Sequence, residues 1–420
     1  MKPKILTTLP GYTREAFRAD FVAGVTVALV ALPLSLAIAI ASGAPPATGL
    51  VTAIVGGFLI SALGGSRVQI GGPTGAFIVV VYSVIHAHGM DGLVLATLMA
   101  GVILLLLALL RAGSLIEHVP EAVINGFTVG IGIIIATSQI RDFFGLETAP
   151  LPGDFLEKLP VLWAARETAS LAAFGVALAS LLLITFARRN APRFPGLILV
   201  MALASAAVAF WHLPVDTIES RFGALPQGLP TPHVPEISRA RLIELLPSAL
   251  VIAFLAGIES LLSAVVADRM IGGAHRPNAE IAAQGWANLG AALFGGLPAT
   301  GAIARTATNV NAGGRTPVAG MVHALVILLI ALFAAPLAGK LALPALAALL
   351  MLTAWNMTEP HRWRAWMRGR PSDRFLLLLT LVLTVVADLT IAIGVGVAVG
   401  LAIRLRRRDV PTASWHPPEH

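Results

Sequence analysis

The 420-residue sequence contains no cysteine, which excludes disulfides, zinc–thiolate centres and thiol nucleophiles. It is also poor in charge. Asp, Glu, Lys and Arg make up 12% of the residues, about half of what a soluble domain carries on its surface. The alternation of apolar and polar residues that marks a membrane barrel strand is missing. No Walker P-loop is present to support direct ATP drive, and the apolar stretches hold no HExxH, GxSxG or carboxylate dyad to support an enzyme.

What is present is apolar sequence in long blocks, 57% hydrophobic overall. A helix needs about 20 such residues to cross a hydrocarbon core. Read between breakers, the blocks give an all-α polytopic membrane protein with about fourteen spans: 21–42, 47–64, 74–87, 92–111, 119–140, 170–188, 194–213, 244–268, 280–296, 300–312, 316–337, 341–357, 374–387 and 388–404. Two of these, 74–87 and 300–312, are too short to cross alone. The last two can form one bent hairpin around Asp388. The stretch from Phe21 to Ser42 is longer than a signal-peptide apolar region of roughly 7–15 residues and reads as a retained first span.

The net charge of +7 follows the same arrangement. With the N-terminus in the cytoplasm, 21 of the 29 basic residues fall in cytoplasmic segments, as the positive-inside rule requires. That distribution explains the basic excess without a nucleic-acid partner. It places both termini inside an inner (cytoplasmic) membrane, with residues 1–20 and 405–420 as cytoplasmic ends and 214–243 as an external loop.

A repeat lies within the spans. Gly71-Gly72-Pro73-Thr74-Gly75-Ala76-Phe77 opens the third span, and Gly295-Gly296-Leu297-Pro298-Ala299-Thr300-Gly301-Ala302-Ile303 opens the tenth. Each is the third span in a set of seven, so residues 21–213 and 244–404 read as two repeats. Seven is odd, and the second repeat is therefore inverted. Interrupted spans at matching places in two inverted halves point to a transporter's binding site. A helix that starts inside the bilayer leaves its first N–H groups unpaired and carries about half a positive charge there. Two such ends make an anion site. Ordinary Gly/Pro loops between spans are the plainer reading of either segment alone; the matched pair favours the site.

Ionisable residues within spans are costly and usually functional. Glu259 lies in the middle of the eighth span, with Ser263 one turn on, the same helix face. This pair can take a proton or hold Na+; the alternative is a carboxylate bonded to unwound backbone. Arg305 lies early in the tenth span and adds a full positive charge that favours anions. Equally, it can be a structural partner of Glu259 or Asp388. Asp388 reads as an N-cap for the last helix, Asp268 as a cap or ion-pair partner at the end of the eighth span, and His86 and His88 as solvated. Pro33 breaks the first span, so that Ser35 can face the site.

These segments resemble the SulP anion-transporter family. The resemblance is carried by FRADFVAGVTVALVALPLSLAIAIASG, GGSRVQIGGPTGAF, INGFTVGIGIIIATSQIRDFFGL, GIESLLSAVVAD and GLPATGAIARTATNVNAGGRTPVAG, and it runs over almost the whole chain. It implies a core domain of residues 21–112 and 244–337 and a gate domain of 118–213 and 341–404, with the core moving as an elevator. It places substrate at Thr74, Gly75, Ala76, Phe77, Thr300, Gly301, Ala302, Ile303 and Arg305. It places the coupling ion at Glu259 and Ser263, with Gly301 as a further candidate ligand for Na+. Sodium-coupled bicarbonate members carry Asp and Thr where Glu259 and Ser263 stand. Most members also carry a STAS domain after the last span, which the sixteen residues beyond Arg404 are too few to form. A homodimer through the gate domain can still form.

The expected function is secondary transport of a small inorganic or organic anion (sulfate, bicarbonate or a dicarboxylate) across the lipid bilayer, by H+ or Na+ symport and with no cofactor. The alternatives are a nucleobase:cation symporter of the same fold and a channel-like anion pathway. Nucleobase carriers have no need of Arg305 and usually place a carboxylate in the tenth span, which has none.

Overall fold

The computed structural model describes residues 2–111, 120–149, 151–152, 155–190, 196–387 and 389–406. Asp388, Arg193, Arg407, Arg408 and the tail from 407 onward lie outside the described residues.

The described chain is helical apart from turns, one long loop over 223–238 and one two-residue strand pair. In order it forms α1 (Arg14–Ala41), α2 (Pro46–Leu63), β1 (Gly71–Gly72), α3 (Ile78–Leu109), α4 (Glu121–Phe144), α5 (Phe155–Ala164), α6 (Leu171–Asn190) and α7 (Gly196–Phe210). The second half forms α8 (Arg239–Ile271), α9 (Pro277–Leu293), β2 (Thr300–Gly301), α10 (Ile303–Asn311), α11 (Val318–Phe333), α12 (Leu343–Met357), α13 (Pro371–Val386) and α14 (Leu389–Arg406). Among these, α1, α2, α3 with its leading turn Gly75–Phe77, α4, α6 and α8 are long and apolar enough to cross a membrane.

The third and fourth spans are joined in α3, whose helical run breaks at Gly89 (φ 70°, ψ −175°). The break falls between the two expected segments. The second span carries a π-helical turn, Thr52–Gly56. There Thr52 Oγ1 donates to Leu297 O (3.1 Å) and accepts from Leu297 N (2.6 Å), tying the first half to the loop before β2. The break at Gly89 leaves a short first piece of α3 that starts at Ile78, and its counterpart α10 is nine residues long: about 13 Å at 1.5 Å per residue, under half of the hydrocarbon thickness.

Packing repeats between the halves. The first span packs on the eleventh (α1 on α11), as the eighth packs on the fourth (α8 on α3). Likewise α9 packs on α3, as α2 packs on α11. Small residues make the closest approaches, as membrane bundles require in the absence of a hydrophobic drive between helices. A Cβ on Gly24 would lie 2.5 Å from Ala319 O, and one on Gly101 would lie 2.9 Å from Gly285 O. A second group forms around α4, which packs on α12 and α13, while α6 packs on α7 and α12.

The entrance of α1 is pinned by Asp20. Its carboxylate accepts from Arg315 N (2.7 Å), Thr316 N (3.1 Å), Thr316 Oγ1 (2.5 Å) and Tyr12 Oη (2.9 Å). Burial, and then the bond to Asp20, push the Tyr12 phenol up to about 12, so it remains a donor at neutral pH.

Candidate functional site

The two Gly-rich segments meet. Residues 71–72 and 300–301 pair antiparallel, Gly71 opposite Gly301 and Gly72 opposite Thr300. The antiparallel sense suits two repeats related by inversion. Ala302 N donates to Ile70 O (2.8 Å), extending the pairing. Directly beyond it the chain turns into helix on both sides: at Gly75–Phe77 leading into α3, and at Ile303 leading into α10. The first N–H groups of both starts precede any intrahelical acceptor, so two positive helix ends are brought to one place.

Glu259 of α8 accepts a hydrogen bond from Thr74 Oγ1 at 2.8 Å. Thr74 is the residue before the first helical turn, so the carboxylate stands beside the start of α3. Glu259, Thr74 and Ala302 are half-buried and Ile303 is 37% exposed. Gly75, Ala76, Phe77, Thr300 and Gly301 are buried. The stubs therefore open on one side, where Glu259 and Ile303 lie. The facing wall comes from the α4 group: a Cβ on Gly75 would lie 3.3 Å from Met357 Sδ and 3.6 Å from Ile135 Cδ1.

Ser263 shares the α8 face with Glu259 but has another partner. Its hydroxyl lies 3.1 Å from Thr306 Oγ1, which accepts from Ile70 N at 3.0 Å. Gly301 is held in the strand pair. The three candidate Na+ ligands thus have separate engagements, and only Glu259 faces the opening. Thr300 Oγ1 donates to Ala256 O (2.8 Å), fixing the second stub to α8.

Arg305 is 2% exposed, and among the described residues its guanidinium makes a single hydrogen bond, from Nη2 to Ser35 Oγ at 3.2 Å. Its Nε and Nη1 have no partner, and no carboxylate pairs with it among the described residues. The pairing with Glu259 does not form, because Glu259 turns to Thr74. Arg305 is packed behind β1, where a Cβ on Gly72 (φ 150°) would lie 2.2 Å from Nη1. Ser35, two residues after Pro33, thus reaches the stub region through Arg305.

Sequence reasoning missed a second buried carboxylate. Glu280 of α9 is fully buried and accepts from Gly65 N (2.8 Å), Ser66 N (3.1 Å), Ser260 Oγ (2.9 Å) and Gln284 Nε2 (2.9 Å). Gln69 Nε2 also donates to Ser260 Oγ (2.9 Å), so this network underlies the first strand. Also missed was His323 of α11, fully buried with neither ring nitrogen bonded among the described residues. Asp268 pairs with His275, Nδ1 to Oδ2 at 2.6 Å.

Comparison with known proteins agrees with this architecture. The signature of the sulfate permease family matches residues 17–380. The putative sulfate transporter YvdB of Bacillus subtilis is 42% identical over 88% of this chain. The bicarbonate transporter BicA of Picosynechococcus is 33% identical over 79% of it. The chain spans 70% of the length of the first and 60% of the second. The solved transmembrane domain of a cyanobacterial BicA superposes with a TM-score of 0.82 at 28% identity, covering 93% of this chain and 98% of that one. Murine Slc26a9, an anion transporter solved in the inward-facing state, shares the fold at 19% identity, with a TM-score of 0.87 over 96% of this chain and 71% of that one. With its fold and its sequence both accounted for, this multi-pass membrane protein belongs to the sulfate permease family.

Proposed function

We propose that the chain is a secondary transporter of a small oxyanion, with sulfate and bicarbonate the leading substrates, and that a proton on Glu259 accompanies the anion. The observation that carries the reading is the meeting of two helix N-termini at the β1–β2 pair, with Arg305 unpaired by any described carboxylate behind it. A helix end in a partly buried setting stabilises an anion by up to about 2 kcal/mol. Desolvating the anion costs several kcal/mol, so the charge of Arg305 is required as well.

Glu259 supplies the coupling. Ionised, it places a negative charge at the mouth of an anion site. Two like charges about 5 Å apart at an effective dielectric near 20 repel by about 3 kcal/mol, roughly a 150-fold loss of affinity. A proton on Glu259 removes that repulsion, so anion and proton bind together. Proton coupling fits better than Na+ because Ser263 and Gly301 are engaged elsewhere. The names of the relatives, a putative sulfate transporter and bicarbonate transporters, support the anion class. The denser packing within the α1–α3 and α8–α11 helices, and within the α4 group, than between the two supports a core (21–112 and 244–337) moving against a gate (118–213 and 341–404). The basic-residue asymmetry supports cytoplasmic termini in the inner membrane.

The test is uptake of labelled sulfate and bicarbonate into proteoliposomes under imposed pH or Na+ gradients. Wild type accumulates one of them when the outside is acidic. Glu259→Gln, with a permanently neutral side chain, still binds and exchanges the anion but does not accumulate it uphill. Normal gradient-driven accumulation by Glu259→Gln would remove Glu259 from the coupling step, and accumulation driven by Na+ alone would replace the proton.

A further inference from the structure

Away from the stubs, a cavity of about 520 Å³ lies between the end of α3 and the start of α9. It is lined by Lys2, Arg111, His275, Arg276 and Asn278, with Leu109 at its edge. Arg276 is the N-cap residue of α9, a 17-residue helix, so the helix's positive end opens here. Lys4 stands nearby, its amine pushed down by burial and then by Arg276, with Arg67 adding to the effect. Asp268 is the counter-charge, but its Oδ2 is taken by the His275 backbone N–H (2.7 Å) and by Nδ1 (2.6 Å). The His275 side chain is only 10% exposed, and its Nε2 is buried without a partner among the described residues. A buried ring nitrogen left unsatisfied in this way calls for a partner from outside the described chain.

The cavity adjoins the membrane face. Val102, Leu106, Leu109 and Leu110 of α3 are 48%, 53%, 67% and 77% exposed. Their spacing puts them on one side of the helix, and that stripe ends at Arg111. Acyl chains lie along such a stripe, and a phosphate fits the basic end.

We propose that this cavity binds a phosphate group, presented by an anionic phospholipid whose chains follow the α3 stripe. Arg111 and Lys2 neutralise it, the α9 N-terminus and His275 Nε2 orient it, and the lipid holds the α3–α9 contact from the basic face of the membrane. The site is separate from the stubs and does not depend on the transported anion.

Native mass spectrometry of the detergent-purified protein with phosphatidylglycerol or phosphatidylcholine tests it, beside calorimetry with inorganic phosphate. Phosphatidylglycerol should be retained at least about fivefold over phosphatidylcholine. Lys2→Gln/Arg111→Gln should abolish the preference, whereas the charge-matched Arg364→Gln/Arg368→Gln should keep it. Phosphate that binds wild type but not Lys2→Gln/Arg111→Gln, without any lipid preference, would keep the phosphate site and assign it to a soluble ligand. Equal retention of both lipids with no phosphate binding, or equal loss of the preference in both double variants, would overturn the proposal.

Discussion

Arg305 is the residue on which the electrostatics of the stubs turn. A guanidinium only 2% exposed, with one neutral hydrogen bond among the described residues, is costly unless a negative charge joins it. A charge-assisted contact is worth about 1.5–3 kcal/mol, so Arg305→Ala should weaken anion affinity by about 10- to 150-fold. Ser35→Ala removes only one contact that positions the guanidinium, worth about 1 kcal/mol, and should weaken affinity by about fivefold. Equilibrium binding of labelled sulfate or bicarbonate to purified protein checks both. If Arg305→Ala binds as wild type does, the anion lies out of reach of its charge. The residue itself was legible, because an Arg inside a span is conspicuous in any apolar sequence. Its partner was not, since choosing among Ser35, Glu259 and Asp388 needs the approach of α1 to α10.

At the scale of elements, the stubs were readable because Gly, Pro and the chemistry of a first helical turn are local signals. The pairing of residues 71–72 with 300–301 was not. A two-residue strand has no periodicity, and its partner is more than two hundred residues away. Glu280 was hidden for a similar reason. Its neighbourhood, His275-Arg276-Pro277-Asn278-Ala279, reads as an exposed helix start, yet backbone N–H groups of Gly65 and Ser66 bury it. The strand pair leans on this hidden network. A Cβ on Gly301 would lie 1.5 Å from Gln69 Nε2 and 2.6 Å from its Cδ, so Gly301→Ala must displace Gln69 from Ser260. Overpacking of this kind costs about 1–3 kcal/mol. Gly301→Ala should therefore lower the thermal midpoint in detergent by several degrees and reduce transport. Gly175→Ala in α6, where nothing lies within 4 Å, should leave the midpoint unchanged or slightly raised, because alanine restricts the unfolded chain. A Gly301→Ala protein as stable as wild type would show that the network yields without cost.

The helices that hold the stubs pack most densely among themselves, as do those gathered around α4, and the carrier mechanism proposed above requires the two groups to shift. A cavity of about 370 Å³ lies between them, with Ala41 of α1, Tyr82 of α3 and Ser138 of α4 in its walls. Tyr82 Oη donates to Leu151 O across this boundary, and Arg221 of the segment before α8 also lines the cavity, paired with Asp142 of α4. Apolar contacts cross the boundary as well, with Leu36 and Ile78 in one cluster with Ile131, Ile135 and Leu346, and non-directional contacts of this kind can be exchanged as one group slides past the other. The absence of cysteine makes the motion testable without background labelling. Ala41→Cys and Ser138→Cys place one thiol on each wall. Bridging them with a short reducible cross-linker should stop proteoliposome uptake, and reduction should restore it. Each single variant treated alike should keep transporting, because its reagent is tethered to one group only. If the bridged protein carries anion at the unbridged rate, the groups do not move apart at this boundary, and transport must proceed by local rearrangement at the stubs.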